Sequence, residues 1–214
     1  MIDLALVWVG IIGLGVLIYV VMDGFDLGIG ILFPFMNGTQ ERDVMMNTVA
    51  PVWDGNETWM VLGGAGLFAA FPLVYSTVLS ALYLPIIFMV VALIFRGVAF
   101  EFRFKATRTK YLWDLAFIWG SILSSFFQGV ILGAYIQGIQ TTNGIYSGGG
   151  WDWFTPFTCF TGLGVVVMYA TLGCGWLIWK TEKDIQQRMF HLMPRLIIAL
   201  LIIFGAVSLY TPLT

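Results

Sequence analysis

Four carboxylates stand in stretches otherwise almost free of polar side chains: Asp23 and Asp26 in VVMDGFDLGIGILF, Asp54 and Glu57 in PVWDGNETWMVLGG. An ionisable group within the hydrocarbon of a bilayer costs roughly 2.5–3.5 kcal/mol on insertion scales and faces a protein interior or a water-filled path, so each pair is a candidate functional site. The i,i+3 spacing puts both carboxylates of a pair on one helix face. Close like charges there resist joint ionisation, and a group that can hold a proton its neighbour has released is what a proton relay needs. Arg96, in FRGVAFEFRFK, is a cation that could hold one of these carboxylates ionised.

The elements that carry these residues follow from composition. Of 214 residues, 59% are hydrophobic and only 10% charged, too little polar surface for a soluble globule of this length. A spanning helix needs roughly 20 mostly apolar residues. The uncharged runs predict an all-α, polytopic membrane helix bundle of about six transmembrane helices, at 4–35, 51–75, 78–99, 113–138, 155–180 and 192–211, forming a single transmembrane domain over 1–214. The first run is too long for one upright span, and the glycine-rich DGFDLGIG and Pro34 are the expected places for an irregularity. The same segment lacks a basic leader region and a small-residue cleavage site, so it is expected to stay as a helix.

All ten Lys and Arg residues fall in or beside the odd-numbered loops of this arrangement. Positively charged loops stay cytoplasmic, which puts both termini outside. The first helix then descends to Asp23 and Asp26, the second starts at Asp54 and Glu57, and the third returns to Arg96, so the five groups gather near the cytoplasmic leaflet. Blander roles fit the same residues. Asp23 and Asp26 suit headgroup depth, Asp54 and Glu57 suit the first turn of a helix, where acids meet the positive end of its dipole, and Arg96 suits a snorkelling helix end.

Other features point to packing. Cys159 and Cys174 have no metal or redox spacing, and the ten methionines fill gaps in an apolar interior. His191 is the one histidine, so no haem or metal site is expected within the chain. The stretch from Gln140 to Trp153 reads as a flexible outer connection with Trp151 and Trp153 as interfacial anchors. RFKATRTKYLWD and KTEKDIQQRMFH read as solvated connections. Gly24/Gly28 and Gly129/Gly133 permit close helix approach. A net charge of −2 gives no footprint for nucleic acid.

The motifs MDGFDLGIGILFPF, NTVAPVWDGNETWMVLGGAGLFAAFPLVY and FRGVAFEFRFK, in this order, resemble subunit II of the cytochrome bd-type quinol oxidases, with WDGNETW most similar to the cyanide-insensitive branch. The resemblance implies a bacterial respiratory terminal oxidase of the cytoplasmic (inner) membrane that oxidises quinol and reduces dioxygen to water. Subunit I of that family carries the quinol site and haems b and d; subunit II lacks haem ligands. It implies a partner in subunit I, room for small single-helix accessory subunits, and a structural quinone or lipid within the bundle. The family's acids in the proton route fall on Asp54 and Asp26, with Asp23 beside them, and its assembly and interface residues on Trp53 and Arg96; Glu57 stays a candidate for the proton route by its spacing from Asp54. Members of the family are expected to be longer, with two four-helix bundles, so a shortened, split or partial chain is expected here.

Two functions of different class remain at this stage. One is a non-haem oxidase subunit that supports assembly and takes up protons from the cytoplasm. The other is a proton-coupled secondary transporter, which would also set acids in irregular, glycine-rich helices.

Overall fold

The computed structural model describes residues 3–213, and its principal elements are seven α-helices. They are α1 (Leu4–Leu32), α2 (Thr39–Val49), α3 (Trp53–Ala70), α4 (Pro72–Arg103), α5 (Lys110–Gln137), α6 (Pro156–Lys180) and α7 (Lys183–Tyr210). Five of them, α1 and α4 to α7, are long and apolar enough to cross a membrane. The 18-residue α3 reaches about 27 Å and lies antiparallel between α1 and α4.

Several boundaries differ from the expected ones. DGFDLGIG stays helical, and α1 runs unbroken for 29 residues before Pro34 turns its end into a single 3₁₀ turn, Phe33–Phe35. The glycines of DGFDLGIG do not break α1 because Gly24 and Gly28 are clamped by α6. A Cβ on Gly28 would collide with the Tyr169 carbonyl, and one on Gly24 would stand 2.8 Å from the Tyr169 ring. The break between the second and third spans falls at Phe71, which leaves helical geometry just before Pro72. Pro is favoured in a first turn, so α4 starts there, earlier than expected. The irregular spot lies instead in α4, where Leu82 is non-helical (φ −118°, ψ 18°) three residues before Pro85. Pro85 has no N–H to give the Ala81 carbonyl, and its ring crowds that turn.

α2 is an added short helix in what read as a loop. Its Met45, Met46 and Val49 are fully buried against the bundle. Around α1, helices α4, α5 and α6 supply most of the interior, while α3 buries only Asn56 and Gly63, and α7 only Ile185 and Met189. Lipid tails are as apolar as Leu, so close contact rather than hydrophobic burial must join spanning helices. Small residues do this at Gly28 with Gly173, at Gly129 with Gly162, and at Gly133 with Thr158 and Thr161.

The outer connection is built rather than loose. Thr141–Thr142 pairs with Ile145–Tyr146 around Asn143-Gly144, both at positive φ, the turn that Asn-Gly favours in a two-residue hairpin. Asp152 accepts hydrogen bonds from the Gly149 N–H and the Tyr146 hydroxyl. Trp151 is exposed, as an anchor would be, whereas Trp153 is buried on Ala81, Leu82, Val130 and Ala134 with its Nε1 donating to the Gly150 carbonyl.

Candidate functional site

Asp23, Asp26 and Arg96 are all completely buried. On α1, Tyr19, Asp23 and Asp26 follow one another at i, i+4 and i+7 and so share a face. Arg96 comes from the inner half of α4, which is pressed against α5 because Gly120 has no side chain: a Cβ there would stand 2.7 Å from the Ala92 carbonyl and 2.9 Å from the Arg96 nitrogen. Its Nη1 is 3.3 Å from Asp23 Oδ1 and 3.6 Å from Glu57 Oε2. The aliphatic and π surfaces around the guanidinium come from Phe100 and Trp53, at 5.5 and 6.0 Å from their ring centres, and these two rings stack on each other. Arg96 is thus buried beside Asp23 and does not extend to the surface as a snorkelling helix end would.

Asn56 completes the cluster. Its Nδ2 donates to Asp26 Oδ2 at 2.8 Å and lies 3.4 Å from the Met22 carbonyl. Arg96, Asp23, Asp26, Asn56 and Glu57 therefore meet where α1, α3 and α4 adjoin. A second polar chain begins one turn from Asp23. Tyr169 donates to Gln128 Oε1 at 2.7 Å, and Gln128 Nε2 donates to the Tyr19 oxygen at 2.8 Å, linking α6, α5 and α1.

Asp54 does not join this set. It is exposed in the first turn of α3, where the helix dipole favours a carboxylate, and it lines a groove of about 440 Å³ between α3 and α4. Glu57, one turn further on, belongs both to this groove and to the shell of Arg96. The expectation that all five groups converge is corrected in this respect. On a helix, Asp54 and Glu57 can share a face while only the deeper one reaches the neighbouring element.

A separate ionic network closes the same end of the bundle. Arg103 is fully buried and pairs with Asp114 and Asp43; Lys110 also reaches Asp43, at 2.9 Å, Arg42 reaches Asp114 at 2.8 Å, and Arg188 reaches Glu41 at 2.8 Å. RFKATRTKYLWD and KTEKDIQQRMFH are thus not merely solvated. They hold α2 to α4, α5 and α7. The missed signal was Asp114, a lone acid near the start of an apolar run, opposite an arginine within the preceding helix end.

Among the described residues no group of three or more His, Cys, Asp or Glu side chains could hold a metal ion. His191 is exposed on α7, and Cys174 is packed inside with its Sγ 3.3 Å from the Met189 carbonyl.

Residues 4–213 match the family model described as cytochrome bd terminal oxidase subunit II. The chain belongs to this family. It is similar to the cytochrome bd-I ubiquinol oxidase subunit 2 of Escherichia coli K12, with 33% identity over 193 residues, 86% of this chain and 51% of that protein. The cytochrome bd ubiquinol oxidase subunit 2 of Bacillus subtilis 168 is 32% identical over 197 residues, 88% of this chain and 58% of that protein. A probable cytochrome oxidase subunit 2 of Haemophilus influenzae Rd is 33% identical over 176 residues, 78% and 47% of the two chains. The chain spans about half the length of the curated relatives it matches. As a member of the cytochrome bd subunit II family, with five helices long and apolar enough to cross a membrane, it is a multi-pass membrane protein.

Proposed function

We propose that this chain serves as a non-haem subunit of a quinol:oxygen oxidoreductase in the bacterial cytoplasmic membrane. A haem-bearing subunit I, with haems b and d, performs the electron transfer from quinol to dioxygen, and this chain supports its assembly and delivers protons from the cytoplasmic side. The observation that carries the reading is the buried Arg96 among Asp23, Asp26 and Glu57, at the end of the bundle where the basic residues gather. Reduction of dioxygen to water consumes protons, and a membrane oxidase needs a polar entry for them through otherwise apolar walls.

Asp54 in the open groove is the first acid that a proton from the aqueous phase would meet, followed by Glu57 and the pair Asp26 and Asp23. Arg96 and Trp53 are the assembly residues: Trp53 stacks on Phe100 at the rim of the groove, where a helix of subunit I would seat. Small accessory subunits and a structural quinone or lipid fit the exposed apolar faces of α3 and α7. A transporter has less support, because the discontinuous first helix it called for is absent and α1 is continuous through its acids.

The test is Asp54→Asn in the purified complex. Quinol oxidase turnover is expected to fall strongly, through slowed proton delivery or lost haem. Wild-type turnover with full haem content across about pH 6–9 would remove Asp54 from the mechanism.

A further inference from the structure

A second cavity, of about 210 Å³, lies at the far end of the bundle from the ionic network, between the kink of α4, the last turn of α5 and the outer connection. Its inner wall is the buried Ala81, Leu82, Ala134 and Trp153, with the exposed Asp152 and the half-buried Tyr146 at its rim. Several acceptors here are left open. Asp152 Oδ2 takes the Gly149 N–H at 2.6 Å, but Oδ1 has no hydrogen-bond partner among the described residues. Pro85 has no N–H for the Ala81 carbonyl. At the end of α5 the Gly138 N–H turns to the Tyr135 carbonyl and leaves that of Ala134. The same last turn carries the negative end of the helix dipole, and no basic residue offsets it.

The donors, by contrast, are spent. Trp153 Nε1 gives to the Gly150 carbonyl at 2.9 Å, Thr155 Oγ1 to Gln137 Oε1 at 2.8 Å, and the Tyr146 hydroxyl is shared between the Gly149 carbonyl and Asp152. Thr155 and Thr158 cap the first turn of α6, where Pro156 has no N–H, so the positive end of that helix is closed. Gln137 and Gln140 keep amide donors, which are neutral. No Lys, Arg or His occurs from Pro72 to Phe95 or from Tyr111 to Trp179, and Asp152 makes no ion pair among the described residues.

A carboxylate, open carbonyls and two aromatic side chains around one cavity suit a cation. A hard metal ion asks for about six or more oxygen ligands, and here indole and phenol rings take up part of the wall. An organic ammonium uses both kinds of surface, and a primary one brings three N–H donors where a quaternary one brings none. The surroundings indicate its carrier. Leu79, Tyr83, Leu132 and Ile136 are exposed on the same turns of α4 and α5, and Trp151 stands out nearby as an interfacial ring does. An acyl chain lying along these side chains would bring its headgroup to the cavity.

We propose that this cavity binds the primary ammonium of an aminophospholipid headgroup, of the phosphatidylethanolamine kind, with Asp152 as its counter-ion. The site lies away from the acids of α1 and α3 and stands whether or not the chain serves an oxidase.

Native mass spectrometry of the full chain, purified with the subunits that accompany it, tests the site by titration with three dioleoyl lipids: phosphatidylethanolamine, phosphatidylcholine and phosphatidylglycerol. Phosphatidylethanolamine is expected to bind about tenfold more tightly than the other two, and Asp152→Asn to abolish that preference. The asparagine keeps an oxygen for the Gly149 N–H, so the connection should hold its shape. Asp3→Asn removes the same charge at the outer end of α1 and should leave the preference intact. Equal binding of the three lipids to wild type, or a preference that survives Asp152→Asn, overturns the proposal. A preference lost equally in Asp3→Asn overturns the cavity in favour of general surface charge. Free ethanolamine bound at Asp152 without any lipid preference, or a Lys or Arg of another protein chain seated there in a structure of the complex, overturns the lipid as occupant.

Discussion

A guanidinium buried as Arg96 is needs carboxylates around it to offset its charge. Removing the cation leaves Asp23 buried and uncompensated. Arg96→Ala is therefore expected to destabilise the protein by about 3–5 kcal/mol, read as a lower unfolding temperature in detergent and a reduced haem-to-protein ratio in the complex. The double variant Arg96→Met with Asp23→Asn removes both charges and should recover much of that stability without recovering turnover. An unchanged unfolding temperature in Arg96→Ala would show that the ion pair at 3.3 Å contributes nothing to folding. Asp54 is the contrasting case. It is exposed in the isolated chain, so Asp54→Asn should leave stability nearly untouched while turnover falls, and that difference separates a proton-handling acid from a structural one.

Helix packing here depends on missing side chains and on the ionic latch over α2. A Cβ at Gly28 would strike the Tyr169 carbonyl and stand 2.8 Å from the backbone of Gly173, whereas one at Gly10 would meet nothing within 4 Å. Gly28→Ala is expected to cost about 1–3 kcal/mol by forcing α1 from α6, with Gly10→Ala within about 0.5 kcal/mol of wild type. Equal thermal stability of the two variants would contradict the close crossing. In the latch, burial opposes ionisation of Asp43, but hydrogen bonds from Lys110 and Arg103 outweigh it and hold the carboxyl below the usual carboxylate range. Since the folded state binds this proton less readily than the unfolded chain, the contribution of the latch is complete above about pH 4 and is lost as the pH falls through the folded value. Amide protection in Thr39–Val49, taken relative to the intrinsic exchange rate at each pH, should fall on acidification through that range, and protection that is flat with pH would show that apolar burial of Met45, Met46 and Val49 holds α2 without Asp43.

For the molecule as a whole, the basic ends of α4, α5, α6 and α7 and helix α2 meet at one end of the bundle, which the loop charges assign to the cytoplasm. In a background with Cys159 and Cys174 replaced by serine, Arg108→Cys should react with a membrane-impermeant thiol reagent only from the cytoplasmic side, and Asn143→Cys only from outside. The reverse pattern would invert the topology and turn the acid groove away from its proposed source of protons. Exposed apolar side chains along α7, such as Ile198, Leu201 and Ile202, suit lipid or further helices equally, since neither presents a polar demand.

Hydropathy was enough to read the membrane class and the order of the long apolar helices, because those properties are sums over many residues and tolerate local error. The motifs likewise marked Asp23, Asp26, Glu57 and Arg96. Where a polar group ends up is a different kind of property. Asp54 and Glu57 sit one turn apart in one motif, yet one faces the groove and the other reaches Arg96; Asn56, silent in the sequence, turns to Asp26. DGFDLGIG looked like a break and stays helical because α6 packs onto its glycines, while the charged RFKATRTKYLWD looked solvated and contains a fully buried arginine. In each case the outcome hangs on a few ångströms of approach between helices distant in sequence. Those distances are set by contacts that spacing along one chain segment does not encode.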